Sequence, residues 1–156
     1  MIRALKGSGV PFVLIGDHVS HYRSYYDRCR KEADSNIHFL GGIPHDSELL
    51  RSAYAACNTF LLASWLETPG LAALEAALAG AKVVITQEGA TREYFSDHAS
   101  YVNPAQPLNI RNQTIAAWKQ PKNSLLKDHV AHHFLWEQAA LKTLNCYHQL
   151  TEAIST

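Results

Sequence analysis

Residues 64–80 read SWLETPGLAALEAALAG, and this stretch decides the fold expected for the chain. Its second half is almost entirely Leu and Ala, which predicts a buried helix over residues 69–79, since a helix that is apolar all round packs inside a protein. Thr68 is the candidate N-cap and Pro69 occupies the first helical position, where proline is favoured. Gly80 is expected to end the helix.

Short apolar segments flank this helix and recur along the chain. Strands are predicted at residues 10–15, 36–40, 59–63, 82–86 and 99–102. Helices are predicted at residues 20–33, 46–56 (with Asp46 as N-cap), 91–95, 109–119 and 124–132, and from there to about residue 150. Continuously apolar strands that alternate with helices are typical of a parallel sheet. The fold class is therefore α/β, a Rossmann-like parallel sheet with helices on both faces, as one domain over residues 1–156.

Composition excludes several functional classes. Of 156 residues, 47% are hydrophobic and 18% charged, so the chain is globular, and its net charge of zero argues against general nucleic-acid binding. The three cysteines form no CxxC pair, which indicates a reducing compartment. Neither a signal peptide nor an apolar run of about 20 residues is visible. We therefore expect a soluble cytoplasmic protein without nucleic-acid partners, in contact with a membrane only through an intact enzyme.

Two glutamates frame the start of the central helix. Glu75 is the helix's single charge, so it either pairs with protein groups or faces a cleft and accepts hydrogen bonds from ligand hydroxyls. Glu67 follows a strand, at the edge of a parallel sheet where ligands bind. The two lie about 12 Å apart at helical rise, which suits a diphosphate with a hydroxyl-bearing group at each end. Spacing alone equally allows a solvated Glu75 and a Glu67 that merely complements the helix dipole.

These segments together resemble the C-terminal half of retaining glycosyltransferases of the GT-B fold, family 4. The resemblance covers nearly the whole chain, in order: VPFVLIGD from residue 10, the long segment from residue 36 to residue 95, YVNP from residue 101, and FLWEQAALKTLNCYHQL from residue 134. It implies a nucleotide-sugar-binding domain. A dinucleotide-binding domain is disfavoured because no GxGxxG follows a strand.

The resemblance implies a role for particular residues. Glu67 would lie beside the donor sugar as the catalytic residue and orient it, without acting as a nucleophile. Glu75 would bind the ribose hydroxyls. The backbone amides of Gly70 and Leu71 would hold the diphosphate.

Three further glycines fall on donor-binding segments by the same resemblance. Gly16 ends the family's early strand, Gly41 lies in the loop near the base, and Gly89 lies in a glycine-rich turn. Two departures stand out: Pro69 replaces a usual aromatic residue, and Gly89 stands where the family has paired glycines.

The resemblance also implies what the chain lacks. The family's first strand, which carries an Arg and a Lys, and the N-terminal acceptor domain are both expected to be missing, so the isolated chain is expected to be inactive. The intact enzyme would transfer a hexosyl group with retention from a donor such as a UDP- or GDP-hexose. No metal or other cofactor is expected, and the product would belong to polysaccharide, lipopolysaccharide or glycoconjugate biosynthesis. The alternative is a non-catalytic module that binds a nucleotide or nucleotide-sugar.

Histidines and a tryptophan give weaker functional signals. Nine histidines include a cluster at His129, His132 and His133, but no carboxylates stand at zinc-like spacing, so a metal site is disfavoured. Trp65 either lines the sugar pocket or packs in the core.

Overall fold

The computed structural model describes residues 1–154, in which five strands and eight α-helices alternate along most of the chain. In order they are α1 (Ile2–Leu5), β1 (Phe12–Ile15), α2 (Arg23–Glu32), β2 (Ile37–Gly41), α3 (Glu48–Ala56), β3 (Thr59–Leu62), α4 (Leu71–Leu78), β4 (Lys82–Thr86), α5 (Thr91–Phe95), β5 (Ser100–Val102), α6 (Pro107–Lys119), α7 (Leu125–His133) and α8 (Trp136–Ile154). The bounds of β4 and α5 coincide with those predicted from the sequence. The other predicted elements differ from prediction by one to about four residues at their ends.

The larger sheet consists of three parallel strands in the order β3–β4–β5. Successive side chains of β4 point to opposite faces, as in any strand. Val83 and Ile85 pack with α4, α5 and α7 on one face, whereas Val84 packs with α1 and α6 on the other. The expected parallel sheet with helices on both faces is confirmed.

The helix α4 supplies much of the first of these cores. Ala73 and Ala77 are completely buried in it, and Leu74 is buried with them. The buried helix expected from the Leu and Ala composition is therefore confirmed; it ends at Leu78, with Ala79 as C-cap and Gly80 following in a left-handed conformation.

A second, smaller sheet pairs β1 with β2 in parallel. No ladder joins β1 to β3 among the described residues, so two separate parallel sheets stand where one was expected. Phe12 of β1 packs against the core cluster that contains Leu61 of β3, which holds the two sheets side by side. On β1, however, Val13 is 48% exposed and Ile15 38% exposed. An apolar strand in the middle of a parallel sheet is normally covered on both faces, so this face of β1 is less covered than its apolar sequence predicts.

The cap of α3 differs from the sequence prediction. Ser47, and not Asp46, is the N-cap, because its Oγ accepts a hydrogen bond from the Leu50 N–H at 3.2 Å. Both residue types cap helices well, and the spacing to the third helical residue decides between them. At the other end of the chain, α8 is exposed over most of its described length. Within residues 1–154, no helix combines the length and apolarity needed to cross a bilayer.

Candidate functional site

Glu67 lies in the loop after β3, at the edge of the larger sheet where the strands reach their carboxyl ends. Its backbone forms an isolated parallel bridge with Gly89, which lies in the loop after β4. The N–H of Glu67 donates to the Glu88 carbonyl at 3.3 Å, and the N–H of Ala90 donates to the Glu67 carbonyl at 3.0 Å. The loops after two neighbouring strands are thus tied together at this residue, whose side chain is partly buried.

Gly89 makes this close approach sterically possible. Its φ of +94° is in the left-handed region, and a Cβ added there would lie 2.0 Å from the Glu67 carbonyl oxygen. No L-residue with a side chain fits this position without moving one of the loops. Gly89 therefore fixes the loop that carries Glu67, while its donor-binding role stays a prediction.

The helix α4 begins two residues later than the sequence predicts. Its N-cap is Gly70, in the left-handed conformation at φ +66° and ψ +59°, whereas Thr68 and Pro69 lie in the preceding loop. The prediction of Thr68 as N-cap was wrong. The physical reason is that Gly70 turns the chain in a buried position where an added Cβ would contact Ile85 and Leu62, and only after this turn does the backbone become helical.

This turn leaves amide groups at the start of α4. The Gly70 carbonyl accepts from the N–H groups of Ala73 and Leu74, at 2.8 and 3.1 Å. The N–H groups of Leu71 and Ala72 precede them in the first turn, where a helix offers no acceptor of its own. The positive end of the helix dipole adds to the attraction for an anion at this position.

Glu75 lies in the middle of α4 and is held from outside the helix. Its Oε1 is 2.8 Å from Nε2 of His45, which lies in the loop between β2 and α3. The Glu75 side chain is 36% exposed and lines a small cavity of about 350 Å³, together with His45, Tyr54 and Arg51. Of the alternatives open from the sequence, pairing with a protein group is confirmed; Glu75 also lines a cavity, and its contact with ligand hydroxyls stays a prediction.

Glu75 raises the pKa values of two neighbouring side chains, His45 and Tyr54. The hydrogen bond to Glu75, followed by its negative charge, raises the pKa of His45 above the ordinary value. Burial raises the pKa of Tyr54 well above its usual range, and the hydrogen-bonding Glu75 carboxylate adds to this effect. Sequence reasoning missed both residues, since His45 precedes Glu75 by 30 positions and no spacing rule links residues so far apart.

The other two predicted glycines lie together on the smaller sheet. The N–H of Gly16 donates to the Gly41 carbonyl at 2.9 Å, just beyond the point where Ile15 pairs with Gly41. A bulge between Leu14 and Ile15 shifts the register there. The predicted site residues thus fall into two groups: Gly16 and Gly41 on the smaller sheet, and Glu67, Gly70, Leu71, Glu75 and Gly89 on the larger.

A large cleft opens beside the smaller sheet. It has a volume of about 1250 Å³ and is lined by Leu14, Gly16 and Asp17 at the end of β1, by Trp65 after β3, and by Ile110 of α6. Of the predicted site residues only Gly16 lines this cleft, whereas Glu75 lines the smaller cavity. Trp65 is 74% exposed, so it is not a core tryptophan, and its contact with a sugar stays a prediction.

The histidines cluster without forming a metal centre. The ring centroid of His129 lies 4.9 Å from that of His98 and 5.1 Å from that of His133. The Nε2 atom of His129 is engaged with the Tyr94 carbonyl at 3.1 Å. In the part of the chain that the structure describes, no three His, Cys, Asp or Glu side chains are arranged to hold a metal ion.

Comparisons with known proteins agree with the fold. The family described as glycosyl transferases group 1 matches residues 1–120. Glycogen synthase of Clostridium beijerinckii is 24% identical over 164 residues, which cover 94% of this chain and 33% of that protein. The chain thus spans about a third of the length of the curated relatives that it matches.

Among solved structures, sucrose-phosphate synthase of Thermosynechococcus elongatus is similar with a TM-score of 0.75 and 24% identity, over 92% of this chain and 39% of that one. Anabaena HepE, solved in complex with UDP and glucose, is similar with a TM-score of 0.69 and 18% identity, over 97% of this chain and 42% of that one. At these identities the likeness shows a common fold.

Proposed function

The chain belongs to the glycosyl transferases group 1 family, and on this basis we propose that residues 1–156 form the donor-binding part of a glycosyltransferase. The observation that supports the proposal is the backbone bridge that ties Glu67, three residues before the Gly70 N-cap of α4, to Gly89 in the loop after β4. A carboxylate, free helical amides and a second carboxylate on the same helix are the groups needed to bind a sugar, a diphosphate and a ribose in sequence.

Each part of a nucleotide-sugar has a place in this arrangement. The amides of Gly70 and Leu71 bind the diphosphate, where the helix dipole stabilises the negative charge that grows as the leaving group departs. Glu75 accepts hydrogen bonds from the ribose hydroxyls. Glu67 orients the hexose, which is transferred with retention at the anomeric carbon. No metal or other cofactor takes part in this proposal.

The split sheet indicates how the domain is completed. The edges of β1 and β3 that face each other carry unpaired backbone groups, and doubly wound sheets place their first strand in the centre of the strand order. We propose that the intact enzyme supplies a parallel strand between β1 and β3, together with an acceptor-binding domain. That strand would pair with the backbone groups at the facing edges of β1 and β3.

The donor is proposed to be a UDP- or GDP-hexose. The similar protein HepE was solved in complex with UDP and glucose, which makes UDP-glucose the first compound to test. The intact enzyme is proposed to act in the cytoplasm, in polysaccharide, lipopolysaccharide or glycoconjugate biosynthesis, with membrane contact only through the intact protein. Proton NMR of the product formed by the intact enzyme tests retention, since an inverted anomeric configuration would refute it.

The open cleft favours one alternative. The described residues include Glu75 and the backbone amides at the start of α4, but no strand between β1 and β3, and the large cleft is open. In this alternative the chain would bind a nucleotide without transferring the sugar. Sugar transfer by a longer protein that includes the central strand would exclude a purely non-catalytic module.

Calorimetric titration tests the binding proposal. UDP, GDP, ADP and their hexose conjugates are titrated into the chain, into Glu75→Gln, and into Glu137→Gln as a matched control on exposed α8. We expect one nucleotide to bind and its affinity to fall in Glu75→Gln only. Equal affinities for both variants would remove Glu75 from the site. If none of the compounds binds, either to this chain or to the longer protein, the donor-site proposal is overturned.

A further inference from the structure

The pair formed by His45 and Glu75 joins segments from the two sheets. His45 comes from the loop after β2, on the smaller sheet, whereas Glu75 comes from α4, which packs on the larger one. Their side chains meet at 2.8 Å between Nε2 and Oε1. The imidazole is otherwise largely exposed, with 82% of its side chain accessible, so this contact is not forced by burial.

Several ionisable side chains surround the pair of His45 and Glu75. Tyr54 of α3 adjoins Glu75 on the side of the core, and Arg51 lines the same small cavity. Asp46, next to His45, adds a further negative charge near the imidazole. Cys57 is the remaining ionisable group whose charge reaches Tyr54. One carboxylate is therefore contacted by a titratable ring from one loop and by a phenol from another helix.

We propose that His45 is a positioning residue for Glu75, and that its protonation strengthens nucleotide binding at this carboxylate. The inference rests on the proposed function, in which Glu75 receives the ribose hydroxyls. A carboxylate offers about four lone-pair sites on two oxygens. His45 on Oε1 and the Tyr54 phenol together hold the side chain in one orientation, and the remaining lone-pair sites accept from the ribose hydroxyls.

The direction of the pH effect follows from the charge of the imidazole. A protonated His45 makes a charge-assisted bond to Glu75, which is stronger than a neutral one. Because the pKa of His45 is raised by this bond, the charged pair is complete below the ordinary value of about 6.5 and is lost as pH rises through the raised value. Nucleotide affinity should therefore decrease over that interval as Glu75 becomes less ordered.

Three variants separate this role from others. His45→Ala removes the contact, while His45→Gln keeps an amide donor that does not titrate. His148→Gln, on the exposed part of α8, is the matched control for loss of a histidine. All are compared with the unmodified chain by calorimetric titration with UDP, GDP and ADP between pH 5.5 and 8.5.

We expect His45→Ala to weaken binding about two- to fivefold at pH 6, the range that an exposed ion pair supports, and to make no difference at pH 8.5. His45→Gln should bind more tightly than His45→Ala. The ratio of the Kd values of these two variants should stay constant from pH 5.5 to 8.5, because the glutamine amide does not titrate. A nucleotide phosphate itself titrates near pH 6, but this contribution is common to all the proteins and cancels in the ratio of their Kd values.

NMR titration of the imidazole signals gives a readout independent of ligand. Glu75→Gln should shift the His45 midpoint towards lower pH and leave His148 unchanged. A Kd ratio that does not vary with pH, or a His45 midpoint that ignores Glu75→Gln, would overturn the positioning role while the donor site stands. Equal binding by Glu75→Gln and the unmodified chain would refute the proposed function of Glu75 and this inference with it. If the unmodified chain binds no nucleotide at any pH, this inference is overturned. The proposed function is then tested separately, by nucleotide binding to the longer protein.

Discussion

Replacing Gly89 by alanine tests the bridge that holds Glu67 in place. The new Cβ would lie 2.0 Å from the Glu67 carbonyl oxygen, so the two loops must separate. The left-handed backbone costs an L-residue about 1–2 kcal/mol. Separation also breaks the hydrogen bonds Glu67 N–H to Glu88 and Ala90 N–H to Glu67, each worth about 1 kcal/mol. The total loss of unfolding free energy should be roughly 3–4 kcal/mol.

Gly80→Ala is the matched control for this change. Gly80 has a similar φ of +87°, but an added Cβ there meets no atom within 4 Å, so only the backbone cost applies. Urea unfolding should show Gly89→Ala to be less stable than Gly80→Ala by about 2 kcal/mol, the sum of the two lost hydrogen bonds. In thermal unfolding this difference corresponds to about 4–8 °C in Tm. Equal stabilities of the two variants would show that the bridge does not hold the loops together.

Three further substitutions examine other parts of the structure. Ser47→Ala should lower the free energy of unfolding, measured in urea, by about 1 kcal/mol, because the Leu50 N–H loses its capping acceptor. A larger loss in Asp46→Ala would show that Asp46 is the N-cap instead. Phe95→Ala removes a completely buried ring from the core and should cost about 3–5 kcal/mol by the same measurement; a loss under about 1 kcal/mol would contradict that burial. Arg111→Met removes the guanidinium that donates to three carbonyls of the N-terminal segment, and it should speed amide hydrogen exchange in α1 while leaving exchange in β4 unchanged. Unchanged exchange in α1 would show that these bonds do not hold the segment.

The residues proposed for the donor site each have a local sequence signal. Glu67 follows a strand, Gly70 lies in the first turn of the predicted apolar helix and Gly89 follows the next strand. A parallel sheet brings such loops to one edge, so their proximity follows from the fold class alone. The backbone bridge between Glu67 and Gly89 agrees with this reasoning.

The partners of Glu75 could not be predicted in the same way. The sequence shows a single charge in an apolar helix and therefore requires some compensation, but it does not identify the compensating group. The choice of His45 depends on how the loop after β2 approaches α4. The N-cap of α4 likewise depends on the left-handed turn at Gly70, whereas local rules favour Thr68 and Pro69.

The sequence by itself determined the order and type of the elements, since the periodicity of apolar side chains and the positions of Gly and Pro act over a few neighbouring residues. β4 and α5 show this best, because their bounds were predicted without error. Only the tertiary structure decided that, within residues 1–154, β1 and β3 do not pair with each other, that Gly89 touches Glu67 and that His45 holds Glu75. The physical reason is that these features are contacts between distant segments, and their energies depend on the packing of the whole domain.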